Sequence, residues 1–228
     1  MSDIRTVIDW LSDGARSAQL SEDVLEELCR GMAEAGIPLW RVAVFVTTLH
    51  PDLMGRAFRW WSESGVQVSE AQYDIKETDD YLKSPVVAVY GTRQPLRRKL
   101  ADPNCPIDFA VLNEFRAEGA TDYVAFPLVF TDGSVHVATW STRQPGGFTP
   151  KQYADLEQVI APLTRVAEIR ALRRTATNLP TPMSDVRRAS GFSPAGSGVA
   201  MSRQSMRRSG CPTCAASPRS RSGCHHSN

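Results

Sequence analysis

The chain has 228 residues, 42% of them hydrophobic, and a formal charge of +1. That balance excludes an acidic disordered chain and a bulk nucleic-acid binder, and it suits one or two globular domains. The charge is uneven: from position 180 onward seven Arg stand against one Asp, a tail of +6, so residues 1–179 carry −5.

No apolar run approaches the roughly 20 residues that a membrane span needs. The N-terminus, MSDIRTVIDWLSDG, lacks the basic-then-hydrophobic order of a signal peptide. Cys29 and Cys105 in the first 179 residues suit reduced thiols better than a disulfide framework. Together these features predict a cytoplasmic protein with neither membrane nor nucleic acid as partner.

In chain order, Ile4 to Ala35 reads as helix. Val7, Ile8 and Leu11 form one stripe; Val24, Leu25, Leu28, Cys29 and Met32 form a second behind a Ser21 cap, and Gly36 stops it. The β-branched run from Arg41 to Leu49 predicts a central strand. Arg56 to Ser62 predicts another, with Val66–Val68 as its continuation or hairpin partner. Tyr73 to Leu82 is polar and reads as a loop with a helical turn. The apolar VVAVY after Ser84-Pro85 reads as a short strand or buried extended segment, and basic TRQPLRRKL follows. Phe109, Leu112 and Phe115 mark a helix ended by Gly119. The strongest hairpin signal is 123–130 and 134–142 flanking Thr131-Asp132-Gly133, because Asp-Gly tolerates positive φ.

The stretch from Phe148 to Leu179 then predicts one long helix. Thr149 is its N-cap, Pro150 its first residue, and Gln152 completes a capping box. Apolar residues from Tyr153 to Leu172 recur at helical spacing, Arg170, Arg173 and Arg174 suit its negative end, and Pro162 should kink it. The element order predicts an α+β fold, an antiparallel sheet with helices gathered on one face.

Candidate chemistry is sparse. The hydrolase nucleophile elbow, the P-loop, the zinc-protease pattern and the dinucleotide fingerprint are all missing from the sequence. His50 and His136 form either a metal or acid–base pair, or an ordinary turn histidine and sheet histidine. Asp79-Asp80 reads as a solvated pair. Trp60 and Trp61 should point to opposite faces, and with Phe58, Tyr73, Tyr90 and Tyr123 they wall either a ligand pocket or plain core. Trp60, Trp61, Tyr73, Tyr90, Tyr123 and His136 are therefore the candidate ligand-binding residues. Arg93, Arg97, Arg98 and Lys99 read as a solvated basic loop or an anion site. In the tail, Cys211, Cys214, Cys224 and His225 have zinc-like spacing, yet their Ser/Arg/Gly/Pro surroundings supply almost no core.

Six stretches carry a resemblance in order: LHPDLMGRAFRWW, KSPVVAVY, PLRRKL, EGATDYVAFPLVFTDG, TRQPGGFTPKQ and EIRALRRTATNL. Residues 1–179 thereby resemble the N-terminal sensory region of bacterial class III adenylate/guanylate cyclases. The resemblance implies a GAF-like sensory domain over 1–147 and a signalling and dimerisation helix over 148–179. It also implies a homodimer, an unidentified small-molecule ligand and no cofactor in this chain; the family's Mg or Mn ions belong to a cyclase domain that converts ATP to cyclic AMP. No catalytic residue of such a domain is present, so no cyclase activity is expected of the chain itself.

After Asn178-Leu179 the family pattern Asp-Thr-Tyr-Val-Gly is replaced by Pro180-Thr-Pro-Met-Ser-Asp185. The genetic code permits the missing pattern if one base is lost near those codons. In the same shifted frame Pro212 to Arg219 permits Asp-Leu-Arg-Gly-Phe-Thr-Glu, which resembles the opening of a class III cyclase domain. Residues 180–228 are thus expected to be a disordered basic tail, a frameshifted reading of the cyclase linker and domain start. A stand-alone binding or dimerisation module is the alternative function. A zinc or nucleic-acid site in the tail is a weaker one.

Overall fold

The computed structural model describes residues 3–47, 53–72 and 78–178. The expectations for His50, Tyr73 and the 180–228 tail, including Cys211, Cys214, Cys224 and His225, lie outside the described residues. So do the side chains of Asp79 and Asp80.

Two N-terminal helices, α1 (Ile4–Ser12) and α2 (Ser21–Glu34), bury the two predicted apolar stripes. The cap of α2 is not Ser21, which is already helical; the Asp23 carboxylate instead accepts the Leu20 N–H at 2.8 Å. Strands β1 (Arg41–Thr47), β2 (Leu53–Trp61) and β3 (Gly65–Gln72) follow as an antiparallel meander. Val66–Val68 is therefore a hairpin partner of β2 rather than its continuation.

Helix α3 (Asp79–Leu82) is a single turn. The next segment differs from expectation: VVAVY lies in helix α4 (Pro85–Thr92), not a strand. Its β-branched composition favours a strand, but three local signals favour a helix. Ser84 Oγ accepts the Val87 N–H at 3.3 Å, Pro85 occupies the first turn, and Arg93 adopts φ +55° to close the far end on Val89 O. Strand β4 (Leu96–Arg98), helix α5 (Ala110–Ala117), strands β5 (Asp122–Val129) and β6 (Val135–Thr142), and helix α6 (Pro150–Asn178) complete the described chain.

The six strands form one antiparallel sheet in the order β3-β2-β1-β6-β5-β4. Pro127 interrupts the apolar run of β5 without breaking the sheet. It lies beyond Ala125, the last β5 residue that β4 pairs, so the N–H it lacks faces an open edge. The β5–β6 turn is confirmed, with Gly133 at φ +81°.

Helices cover both faces of the sheet, not one. Val42, Val44, Phe58, Trp60, Val124, Phe126, Ala138 and Trp140 pack against α1, α2 and α6. The alternate residues Tyr123, Ala125 and Val137 pack with Val89 of α4 and Leu112 and Phe115 of α5. Strand alternation dictates this split, since successive side chains leave opposite faces.

Helix α6 is capped as the sequence predicts. Thr149 N donates to Gln152 Oε1 at 2.9 Å and Gln152 N donates to Thr149 Oγ1 at 3.2 Å. It runs unbroken through Pro162. Arg170 near its far end donates to the carbonyls of Ala15, Ala18 and Gln19, tying it to the α1–α2 connection. Cys29 and Cys105 are free thiols. Among the described residues no helix is long and apolar enough to cross a membrane.

Candidate functional site

The α4/α5 face of the sheet does not close completely. Between β1, β2 and β3 on one side and α3, α4 and α5 on the other lies an open cavity of about 740 Å³. That volume lies within the range of small-molecule sites. Its apolar wall contains Phe45 of β1, Tyr90 of α4, Phe115 of α5 and Tyr123 of β5. Its polar wall contains Arg41 and Arg59 on adjacent strands, with Thr139 behind Tyr123.

Strand register places the two arginines. Arg41 pairs with Trp61 and Ala43 with Arg59, so both guanidiniums leave the same face, with the Val42–Trp60 pair between them. Arg41 stacks over Phe115 at 4.5 Å and lies 5.4 Å from the Trp61 ring. Arg59 lies 5.6 Å from the Phe45 ring and donates to Ser69 Oγ. Burial, and then the neighbouring Arg59 charge, hold Arg41 below the usual guanidinium range; burial alone does the same to Arg59. Burial pushes the Tyr90 and Tyr123 phenols up, so both stay protonated and able to donate.

The candidate residues of the sequence divide between the two faces. Tyr90 and Tyr123 line the cavity, and Trp61 stands beside it through Arg41. Trp60 is buried on the opposite face with α1, α2 and α6, as is Phe58. His136 does not line the cavity: it is held at 2% exposure beside Phe130 and accepts from the backbone N–H of Thr47, a residue of the cavity wall. Among the described residues no group of three or more His, Cys, Asp or Glu is placed to hold a metal ion.

The basic stretch is solvated only in part: Arg93 and Lys99 are exposed. Arg97 and Arg98 lie on edge strand β4 and are ion-paired. Arg98 forks onto Asp108, with contacts of 3.1 and 2.6 Å. Arg97 Nη2 reaches Asp122 Oδ2 at 2.6 Å and the Phe148 carbonyl at 2.8 Å, while Phe148 N donates to Asp122 Oδ2 at 3.0 Å. Arg97 also stacks over Tyr153 at 4.7 Å. Asp122, fully buried, thus holds together β4, β5 and the chain entering α6.

Gly147 belongs to this clamp. It adopts φ +77°, and a Cβ there would lie 2.6 Å from Asp122 Oδ2, so only glycine lets the carboxylate close on Phe148 N. Tyr123, the next residue along β5, faces the cavity. One strand therefore carries a cavity wall and the anchor of α6 side by side.

Sequence reasoning missed Arg41 and Arg59. The available signal was two arginines inside otherwise apolar strand patterns, RVAVFV and RAFRWW. A charge in such a run needs a reason.

No family model matches the chain, and no curated protein matches it. Solved structures do. The GAF domain of a phosphoenolpyruvate-protein phosphotransferase from Coxiella burnetii superposes with a TM-score of 0.51 at 13% identity, covering 77% of this chain and 97% of that one. The phycocyanobilin-bound GAF domain of a cyanobacterial phytochrome superposes with a TM-score of 0.50 at 12% identity, covering 75% and 97%. The fold is GAF-like: a six-stranded antiparallel sheet flanked by helices, with a long C-terminal helix.

Proposed function

We propose that this chain is a small-molecule-sensing regulatory module in which occupancy of the 740 Å³ cavity is passed to α6. The observation that carries this reading is the adjacency of Tyr123 in the cavity wall to Asp122 in the α6 clamp. A ligand that shifts β5 or β4 acts on both sides of that clamp. The bilin of the phytochrome domain is a small molecule held by a similar fold, which favours the same use of this one.

The finer reading is that the module serves a class III adenylate cyclase in the cytoplasm. Its support is the ordered sequence resemblance over residues 1–179 and a helix that leaves the sheet towards whatever follows. In that arrangement ATP conversion and its Mg or Mn ions belong to the cyclase domain, and residues 180–228 are the out-of-frame reading of its beginning. Sequencing the gene from the Thr175 codons onward tests this. One missing base should restore an open cyclase frame; a downstream sequence that spells no such frame contradicts the parentage. A module acting alone is compatible with the same cavity, and the zinc-like tail is the third reading.

The sensing role is tested with N-phenyl-1-naphthylamine, a neutral apolar fluorophore. It should bind the full chain at about one equivalent, and Val111→Trp, which fills the cavity from α5, should abolish binding without lowering the melting temperature. Absence of binding, or binding indifferent to Val111→Trp, contradicts the cavity as a small-molecule site.

A further inference from the structure

We infer that the cavity takes a small organic anion: an apolar ring body bearing one carboxylate or phosphate group, held between Arg41 and Arg59. This deepens the sensing role and rests on it. The first support is charge without compensation. Arg41 is largely desolvated, and among the described residues no carboxylate lies within ion-pair distance of it. Its neighbours are the faces of Phe115 and Trp61 and the like charge of Arg59. Two cations side by side in a half-buried site are costly unless an anion joins them.

The acids nearby do not fill that role. Glu70 and Glu114 both line the cavity: Glu70 is paired with Arg56 on the neighbouring strands, and Glu114, exposed on α5, attracts Arg41, as Glu118 does, without an ion pair to it among the described residues. Guanidiniums are planar forks that match the paired oxygens of a carboxylate or phosphate.

The second support is size and lining. An oxyanion alone would leave most of about 740 Å³ unfilled. The remainder is walled by Phe45, Tyr90, Phe115 and Tyr123, a surface for flat apolar rings rather than for sugars or peptides. Thr139 and the two protonated phenols add a few hydrogen-bonding groups without adding charge.

The test uses a matched pair of probes on the full chain. 8-Anilinonaphthalene-1-sulfonate has the same ring body as N-phenyl-1-naphthylamine plus one anionic group. The anion should bind about tenfold or more tightly than the neutral probe, the factor expected of a charge-assisted contact. Arg41→Gln and Arg59→Gln should each bring the two affinities to within about threefold of one another, the loss falling mainly on the anionic probe. Circular dichroism melts check folding, and Arg59→Gln stands if Arg41→Gln does not fold.

Displacement by 1-naphthoate and by 1-naphthyl phosphate then separates carboxylate from phosphate. Equal affinity for the two probes, or an anion preference that survives Arg59→Gln, overturns the inference while the cavity remains a small-molecule site. Failure of both competitors to displace the anionic probe also overturns it. Binding of neither probe removes the sensing role as well.

Discussion

His136 shows how a single residue is assigned by its surroundings. The sequence left it open between a metal or acid–base partner of His50 and an ordinary sheet histidine. In the structure Thr47 N donates to its Nδ1 at 3.0 Å, so the proton sits on Nε2, which lies 3.0 Å from Ser134 Oγ. The ring packs 3.9 Å from that of Phe130. Burial lowers its pKa from 6.5 to about 4, against the opposing pull of Asp132 and Glu168. A base with a depressed folded pKa binds fewer protons when native than when unfolded. Stability is therefore retained above pH 6.5 and lost as pH falls towards 4, by about 3 kcal/mol at the lower end. Urea unfolding of wild type and His136→Asn across this window should show that difference; identical pH slopes would contradict it.

At the scale of elements, the paired helices, the β5–β6 hairpin and the capped start of α6 were all legible. Each is written locally, in periodicity, in Asp-Gly and in Thr-Pro-Lys-Gln. The exception was α4, where VVAVY has strand composition and the deciding signal was the Ser-Pro cap before it. Helix α6 also carries an apolar surplus: Ile169 and Leu172 are 45% and 64% exposed, one turn apart, in turns whose Ala167 and Ala171 pack against the core. A second copy paired along this stripe would bury them, as the homodimer implied by the sequence resemblance would require. Light scattering after size exclusion should give twice the chain mass for wild type and the monomer mass for Ile169→Glu/Leu172→Glu. Unchanged mass in the variant, or a monomeric wild type, would rule out this seam. Because both side chains are exposed, the melt should move little.

For the whole molecule, the sheet is a partition between a core under α1, α2 and α6 that leaves only about 60 Å³ open and the larger open cavity under α4 and α5. The sequence predicted the layers but not the partition. Alternation assigns residues to two faces, whereas nothing local says which helix takes which face. That is why Trp60, Tyr123 and His136 looked like members of one site and are not. The two compartments meet at Asp122, where Arg97, Gly147 and Phe148 converge. Relay through this clamp is the central claim, and amide hydrogen exchange with N-phenyl-1-naphthylamine bound tests it most directly. Exchange should change in the first turns of α6 as well as around the cavity, and Arg97→Met should bind the probe yet lose the α6 response. Changes confined to the cavity wall, with α6 untouched in the wild type, would contradict the relay.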